Sequence, residues 1–202
     1  MWSPSKHAQA GAWVLLSQEE ARFPLVPTRS RTVGVKGHRP VGGTGDGTPL
    51  LSVFAVRNVV TAAVHTTTLD SPADVKRRTG TGKTRRFQGA FADHLRHIGR
   101  LYPRGKHLRV VLSIDNAPGH GGEAVTQALA DNPPLERYRL PSDSPQLNVI
   151  ERFWKRLRRR ATHHRLCNTL ADLKRSIRAS LCYFQTMRSR LQSLIAGCYE
   201  VP

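Results

Sequence analysis

Acidic residues are scarce in this chain of 202 residues: Asp and Glu total 14, whereas Lys and Arg total 32. The formal net charge at pH 7 is therefore +18, and the isoelectric point is near 11.2. A surface of this charge favours a polyanion as partner, most simply a nucleic acid. The basic residues also cluster along the sequence, which argues against a merely soluble basic protein.

Cysteines and long apolar runs are scarce as well. Cys167, Cys182 and Cys198 are widely spaced and form no Cys-x-x-Cys motif, so neither a zinc site nor a disulfide framework is predicted. No apolar run approaches the roughly 18 residues of a membrane span, and the first residues show no convincing signal-peptide pattern. We therefore expect no membrane contact and a cytoplasmic location.

The order of apolar segments predicts strands first, followed by alternating strands and helices. The predicted strands are 12–17, 31–35, a hairpin over 49–69 that breaks at Arg57-Asn58, 107–114 and 135–141. The predicted helices are 91–102, 121–132, 144–160 and a long segment from 169. Ser144 and Pro145 suit the start of the third helix, and Thr169 to Asp172 form a capping-box pattern. This order is typical of one α/β domain with a mixed sheet flanked by helices.

A basic, glycine-dotted segment spans residues 71–90 and contains the letters GTGKT. A phosphate-binding loop needs a glycine five positions before Gly82, where this chain has Arg77, and it also needs a preceding strand. We instead expect a basic loop or β-turn beside nucleic acid. Its candidate contacts are Arg77, Arg78, Lys83, Arg85 and Arg86.

Because acids are few, the position of each one is informative. Asp115 ends an apolar strand, Glu151 lies in the first turns of a helix, and Glu19 and Glu20 are expected to follow the first strand. If such carboxylates converge, they repel one another, and divalent cations relieve that repulsion. Mg²⁺ prefers carboxylate oxygens and is commonly shared with phosphates. Two such ions about 4 Å apart can hold the attacking and leaving oxygens of a phosphoryl displacement.

Each of these acids also has a simpler interpretation. Asp115 and Asn116 before Ala-Pro-Gly could form only a turn. Glu151 precedes Lys155 by four residues and could form a surface helix pair with it. Glu19 and Glu20 could be a solvated loop pair. His120 could orient a ligand or phosphate, or be a hydrogen-bonded structural histidine.

Two segments together carry a family pattern. VVLSIDNAPGH (110–120), followed by LPSDSPQLNVIERFWKRLRR (140–159), resembles the catalytic domain of DDE transposases, in particular the mariner-related branch of bacterial insertion sequences. The 35 residues between Asp115 and Glu151 fit the family's spacing. EEARFPLVPTRSRTVGVKGHRP (19–40) also resembles the family's first catalytic segment.

The resemblance implies an RNase H-like fold over residues 12–202, after a short extension at 1–11. It implies an acidic triad of Glu19, Asp115 and Glu151 that binds Mg²⁺ or Mn²⁺, with two ions expected. Asn116, His120 and Asn148 would support that triad. The family usually has aspartate where this chain has Glu19, and proline where it has Val149. Ser142 and Asp143 stand where proline and tyrosine are common.

The implied function is metal-dependent cleavage of a DNA phosphodiester at an element end, followed by strand transfer in DNA transposition. No acid lies between Glu151 and Asp172, and basic residues fill the interval. Those expected to contact DNA phosphates are Arg152, Lys155, Arg156, Arg158, Arg159 and Arg160. Two alternatives remain. One is a catalytically impaired DNA-binding remnant of a transposase, which Glu19 favours, and the other is a basic RNA-binding protein.

Partners follow from the same resemblance. Family members usually carry helix-turn-helix modules before the catalytic domain, whereas here only about ten residues precede the first predicted strand. We therefore expect that this module is absent and that end recognition comes from a separate helix-turn-helix polypeptide. The expected partners are double-stranded DNA, as transposon ends and target, and a second subunit in a homodimer. The expected location is the cytoplasm, at the nucleoid.

Overall fold

The computed structural model of the chain describes residues 13–25, 49–71, 81–104, 106, 109–141, 150–163, 165 and 167–187. Within these ranges the strands are β1 (Trp13–Pro24), β2 (Leu50–Asn58), β3 (Val64–Ser71), β4 (Arg109–Ile114) and β5 (Leu135–Arg139). The helices are α1 (Thr81–Leu101), α2 (Glu123–Ala130), α3 (Ile150–Ala161) and α4 (Leu170–Thr186). A 3₁₀ turn, Pro118–His120, follows β4.

The five strands form one mixed sheet in the order β3-β2-β1-β4-β5. β1 is antiparallel to β2, and β2 is antiparallel to β3. On the other side of β1, both β4 and β5 run parallel to it. The expected mixed α/β sheet is thus confirmed, and β1 at its centre is hydrogen-bonded on both edges.

Alternation of side chains along the strands gives the sheet two different faces. On one face, Val14, Leu16 and Phe54 belong to a core that includes Phe91 and Leu95 of α1. α2 adds its Val125 and Ala128 to that core. Burial of each large apolar side chain contributes roughly 1.5–3 kcal/mol, and these contacts fix α1 and α2 on this face.

The opposite face of the sheet carries α3 and α4. Ala21 and Phe23 of β1 lie in a core with Phe153 and Trp154 of α3, and Leu173 of α4 joins it. The spacing of Ile150, Phe153, Trp154 and Leu157 at i, i+3, i+4 and i+7 predicts one apolar stripe along this helix, and the structure confirms it, because all four are buried. The charged residues of α3 therefore face away from the sheet or toward its edge.

The first strand is longer than predicted, so the expectation that Glu19 and Glu20 follow it is wrong. β1 continues to Pro24, and its ladder with β2 pairs Glu19 with Ala55 and Pro24 with Leu50. The apolar run stops at Leu16, but a central strand is held by hydrogen bonds to both neighbours. The alternation of Ala21 and Phe23 with polar residues was the local signal of this extension.

The prediction of a basic loop over residues 71–90 is wrong for its second half, because α1 begins at Thr81. Phe87 and Phe91, four residues apart, both pack against Phe54 of the sheet and supply the apolar face of this helical turn. Arg85 is exposed there, and Arg86 donates a hydrogen bond to the carbonyl oxygen of Asp70. Arg77 and Arg78 lie outside the described residues.

The remaining predicted elements agree with the structure where it describes them. The hairpin over 49–69 is confirmed as β2 and β3, and Asn58 Oδ1 accepts hydrogen bonds from Val60 N and Thr61 N at 2.9 Å in the turn. Thr169 caps α4, since its side chain accepts from Asp172 N at 3.1 Å. The strand at 31–35 and the cap at Ser144 and Pro145 lie outside the described residues. None of the helices in the described part of the chain is long and apolar enough to cross a membrane.

Candidate active site

Three acidic side chains come from three separate elements. Glu19 lies in the second half of β1, Asp115 directly follows β4, and Glu151 is the second residue of α3. The parallel pairing of β1 with β4 ends at Ser17 and Ser113, so Glu19 and Asp115 each lie two residues beyond this pair on the same face. α3 packs on that face, which brings Glu151 to the same edge of the sheet.

The electrostatics of Glu19 show that the three carboxylates interact. The pKa of Glu19 is raised from 4.5 to about 7, mainly by burial and additionally by repulsion from Glu151 and then Asp115. Trp154 and Arg158 act in the opposite direction and lower this pKa. The three carboxylates therefore lie near enough to influence one another in a strongly cationic protein.

The residues present fit a hard divalent cation. Glu19 Oε2 is buried and has no hydrogen-bond partner, and the same holds for the nearby Trp154 Nε1, which lowers the pKa of Glu19 without reaching hydrogen-bond geometry. A buried carboxylate oxygen without a partner is costly, and a cation would relieve that cost. In the described part of the chain, no three His, Cys, Asp or Glu side chains are close enough to hold a metal ion as they stand. The donor set fits, and binding would draw the carboxylates together.

Asp115 is held by two contacts to the segment that follows it. Its Oδ1 accepts a hydrogen bond from Ala117 N at 3.0 Å and lies 2.8 Å from His120 Nδ1, a close contact that lacks hydrogen-bond geometry. The contact with His120 lowers the pKa of Asp115, burial opposes it, and the Ala117 N–H lowers it further. Asp115 is thus kept ionised, in contrast to Glu19.

His120 is fixed by its surroundings. Its side chain is 3% exposed, and its ring centroid lies 4.4 Å from that of Phe91. The His120 carbonyl oxygen accepts a hydrogen bond from Arg137 Nη1 at 2.7 Å. A Cβ atom on Gly119 would lie 2.2 Å from the ring of Phe87, so glycine is required for this close approach.

Asn116 anchors the same segment to the edge strand. Its Nδ2 donates to the carbonyl oxygen of Leu140 at 2.9 Å, and Leu140 N donates to the Ile114 carbonyl oxygen at 2.8 Å. The carboxyl ends of β4 and β5 are thereby held together beside Asp115. Asn148, the third predicted supporting residue, lies outside the described residues.

Glu20 does not belong to the carboxylate cluster. Neighbouring residues of a strand point to opposite faces, and Glu20 forms an ion pair with Arg22, which lies two positions further along β1, at 3.1 Å. The solvated loop pair considered for Glu19 and Glu20 is therefore excluded, because the two side chains have different environments.

The six basic residues predicted to contact DNA divide into three groups. Arg152, Lys155, Arg156 and Arg159 are exposed. Arg158 is half-buried, lies with its guanidinium carbon 5.5 Å from the Phe23 ring centroid, and lowers the pKa of Glu19. Arg160 stacks on Tyr183 of α4 at 3.7 Å. Arg158 and Trp154 are thus neighbours of Glu19 that were not predicted to belong to the site, although their positions seven and three residues after Glu151 were a signal.

The structure also contains a cavity of about 630 Å³ at the opposite edge of the sheet. Residues from the end of α1, the start of β4 and the turn before β5 line it, among them Tyr102, Asn132 and Leu135. None of the three carboxylates lines this cavity. The candidate active site is therefore a surface beside the second half of β1 and the carboxyl end of β4, and not this cavity.

Three carboxylates that interact electrostatically thus lie near the ends of parallel strands in a strongly basic protein. Residues 73–174 match the family model described as DDE superfamily endonuclease. The match covers half of the chain, and the chain therefore belongs to the DDE superfamily of endonucleases.

Solved structures of Mos1 transposase have a similar fold. The Mos1 transposase paired-end complex with the left transposon end gives a TM-score of 0.59 at 16% identity over 98% of this chain, and the paired-end complex with Mn gives 0.59 at 16% over 93%. The catalytic domain of Mos1 mariner transposase gives 0.55 at 14% over 96% of this chain and 85% of that one. These similarities confirm the RNase H-like fold.

The chain spans less than two thirds of the Mos1 chains in the paired-end complexes. Its matches span 59% and 56% of the transposase chains in the two paired-end complexes. A comparison with curated protein sequences found no match.

Proposed function

We propose that this chain is the catalytic domain of a transposase of the mariner-related branch of bacterial insertion sequences. It would cleave DNA phosphodiesters at element ends and transfer the freed 3′-hydroxyl to target DNA. The observation that carries this proposal is the electrostatic coupling of Glu19 to Glu151 and Asp115 in a chain of net charge +18. Coupled acids bind metal, and the basic surface around them binds the DNA backbone.

Glu19, Asp115 and Glu151 would hold two Mg²⁺ or Mn²⁺ ions. Bound metal supplies Lewis-acid stabilisation of the phosphoryl oxygens and a more acidic water or hydroxyl nucleophile. The protein's own groups prepare the ligands for this. His120 and Ala117 N orient the Asp115 carboxylate through Oδ1, and Asn116 fixes the backbone beside it. Glu19, with a pKa of about 7, must release its proton before it binds a cation.

DNA would lie along the exposed basic side of α3. Arg152, Arg156 and Arg159 follow one another at i, i+4 and i+7 and therefore form one stripe along the helix. Lys155 and Arg158 share the side of Glu151 by the same spacing. We call Arg152, Arg156 and Arg159 the arginine stripe. The stripe suits phosphate contacts, since its three side chains are exposed.

Partners and location follow from the proposed reaction. Two element ends must be processed together, which favours a homodimer, and a helix-turn-helix polypeptide would supply recognition of the end sequence. Such a complex works on the chromosome, which places the proposed protein in the cytoplasm at the nucleoid.

A nicking assay tests the proposal. Supercoiled plasmid is incubated with the protein in Mn²⁺ or Mg²⁺, and conversion to the open-circular form is followed on a gel. We expect activity that is lost in Asp115→Asn and Glu151→Gln and retained in the matched control Glu20→Gln, whose side chain pairs with Arg22 on the other face. Nicking that persists in Asp115→Asn would contradict the assignment.

An impaired enzyme is the second candidate, and Glu19 favours it. Glutamate is one methylene longer than the aspartate usual in the family, and metal sites are sensitive to small displacements. In this case the chain would bind DNA without nicking it, and Glu19→Asp would restore nicking. If neither protein nicks DNA in either metal, the catalytic proposal fails and a binding role, to DNA or to RNA, remains.

A further inference from the structure

A row of side chains crosses the sheet directly below the carboxylates. The strand registers pair Arg57 with Ser17, Ser17 with Ser113, and Ser113 with Tyr138. Because directly paired residues point to the same face, these four side chains lie on the face of Glu19 and Asp115. Exposure increases along the row, from 2% at Arg57 and 3% at Ser17 to 59% at Tyr138. The row therefore runs from the interior to the outer margin of the candidate active site.

Tyr138 is close to the carboxylates. Ser113 precedes Asp115 by two residues, and Tyr138 lies on the neighbouring strand opposite Ser113. A strand spacing of about 4.8 Å and a rise of about 3.3 Å per residue place the Cα atoms of Tyr138 and Asp115 roughly 8 Å apart. The two strand ends are also tied together, since Asn116 donates to the Leu140 carbonyl oxygen. The backbone positions of Tyr138 and Asp115 are therefore held relative to each other.

The exposure of this ring is unusual within the described part of the chain. Only two other large apolar side chains there are exposed, Val60 in the β2–β3 turn at 43% and Leu101 at the end of α1 at 38%, and both are less exposed than Tyr138. Both lie away from the carboxylates, whereas Tyr138 borders them. An exposed aromatic ring in a cationic protein is a platform for nucleobases, because every base has a π-face and the phosphates are drawn to the surrounding charge.

We propose that Tyr138 is a base-stacking residue that packs against an unpaired base of a DNA strand whose neighbouring phosphodiester lies at Glu19, Asp115 and Glu151. This inference rests on the proposed function for the position of that phosphodiester. The small side chain of Ser113 leaves room between the ring and the carboxylates. Bases inside a duplex are stacked on their own neighbours, so the contact requires an unpaired nucleotide.

Binding of two labelled DNAs tests the proposal. One is a fully paired duplex, and the other carries a single-stranded flank with 2-aminopurine as one of its bases. Fluorescence anisotropy gives the affinities, and 2-aminopurine fluorescence reports stacking. We expect Tyr138→Ala to weaken binding of the flanked DNA by about 5- to 150-fold and binding of the duplex by less than about twofold. Wild-type protein should quench the 2-aminopurine, and the variant should not.

Three further variants separate stacking from other effects. Tyr138→Phe and Tyr138→Trp keep a ring and should bind and quench like the wild type, whereas Tyr138→Leu keeps apolar bulk and should not. Leu101→Ala removes an exposed apolar side chain far from the site and should change neither readout. Equal losses on both DNAs, or quenching that survives in Tyr138→Leu, would overturn the proposal.

The nicking assay makes failure of this inference distinct from failure of the proposed function. Nicking by the wild type, with flanked DNA bound equally well by Tyr138→Ala, would refute only the stacking role. Conversely, the wild type could fail to nick DNA while Tyr138→Ala selectively weakens binding of the flanked DNA. That result would support the stacking role and refute the catalytic proposal.

Discussion

His120 Nδ1 lies 2.8 Å from Asp115 Oδ1, and the histidine is buried at 3% exposure while the aspartate is half-exposed. A buried, immobile ring against a carboxylate restricts the directions in which that carboxylate can point. Residues that orient a metal ligand commonly change metal affinity by 10- to 100-fold when they are removed. His120 is in this sense a positioning residue for Asp115.

We expect His120→Ala to weaken Mn²⁺ binding by about tenfold or more, because Asp115 loses the contact that orients it. Isothermal titration calorimetry of the purified protein measures this directly. His97→Ala, on α1, is the matched control, since no contact joins His97 to the three carboxylates in the described part of the chain. Unchanged affinity in a folded His120→Ala protein would show that Asp115 does not depend on the ring.

The stability of the metal-free protein should fall with rising pH because of Glu19. Its pKa is about 7 in the folded state against an ordinary value of 4.5, so the folded state binds the proton more tightly than the unfolded state. The stabilisation is complete below about pH 4.5 and is lost as the pH rises through 7. Glu19→Gln cannot ionise, and in EDTA its Tm should exceed that of the wild type by roughly 5 °C at pH 8.

At pH 4.5 the Tm difference between Glu19→Gln and the wild type should nearly vanish, since the side chain at position 19 is neutral in both folded proteins at that pH. All other titrating groups are common to the two proteins and cancel in the comparison. Glu20→Gln serves as control, and its Tm difference should not change with pH in this way. Parallel Tm curves for Glu19→Gln and the wild type would show that Glu19 is not buried among the other acids.

Buried His94 should make the protein sensitive to mild acid. The pKa of His94 is lowered from 6.5 to about 3, mainly by burial and additionally by repulsion from His97, His65 and His120. The folded state therefore binds fewer protons than the unfolded state between these values, and stability is lost as the pH falls from about 6.5 towards 3. Urea unfolding should give a lower free energy at pH 5 than at pH 7.

Two variants isolate the charge of His94 from its packing. His94→Phe removes the titrating group from a site where the ring contacts Phe54 and Phe91, and its loss of stability between pH 7 and pH 5 should be smaller than in the wild type. Thr67→Val removes only the 2.8 Å contact to His94 Nδ1 and should keep the acid sensitivity. Equal sensitivity in His94→Phe would assign the effect to other groups.

Much of the fold could be predicted because the signals were local. The stripe of α3 and the turn at Asn58 each depend on residues close in sequence, and both agree with the structure. The errors occurred where long-range pairing decides. β1 extends through Glu19 because β2 pairs with it up to Pro24, and the apolar run alone could not show this.

The candidate site was only partly visible in the sequence for the same reason. The family resemblance implied Glu19 together with Asp115 and Glu151, but only the strand alternation separates Glu19 from its neighbour Glu20, which lies on the other face. Arg158 was interpreted as one of several equivalent cations. Arg158 lies near Glu19 and lowers its pKa because of the way α3 packs against Phe23, and no local sequence pattern specifies that packing.

The arginine stripe should govern the salt dependence of DNA binding. Each phosphate neutralised by a side chain steepens the slope of log affinity against log salt concentration by about 0.9 for duplex DNA. Replacing Arg152, Arg156 and Arg159 together by Ala should therefore reduce that slope by about 2–3, with little effect on metal binding. Affinities measured at salt concentrations between about 50 and 200 mM supply the slope.

A control variant on another helix distinguishes a specific DNA path from general attraction to a cationic protein. Arg175 and Arg178 are exposed on α4, so the double replacement by Ala removes two positive charges without touching α3. If the positive charge acted only from a distance, each removed arginine would reduce the slope by the same amount, wherever it lies. A path along α3 instead requires the stripe variant to lose slope while the α4 variant keeps it. Equal loss of slope per arginine would show that no specific DNA path follows α3, and it would remove the proposed link between the arginine stripe and the carboxylates of Glu19, Asp115 and Glu151.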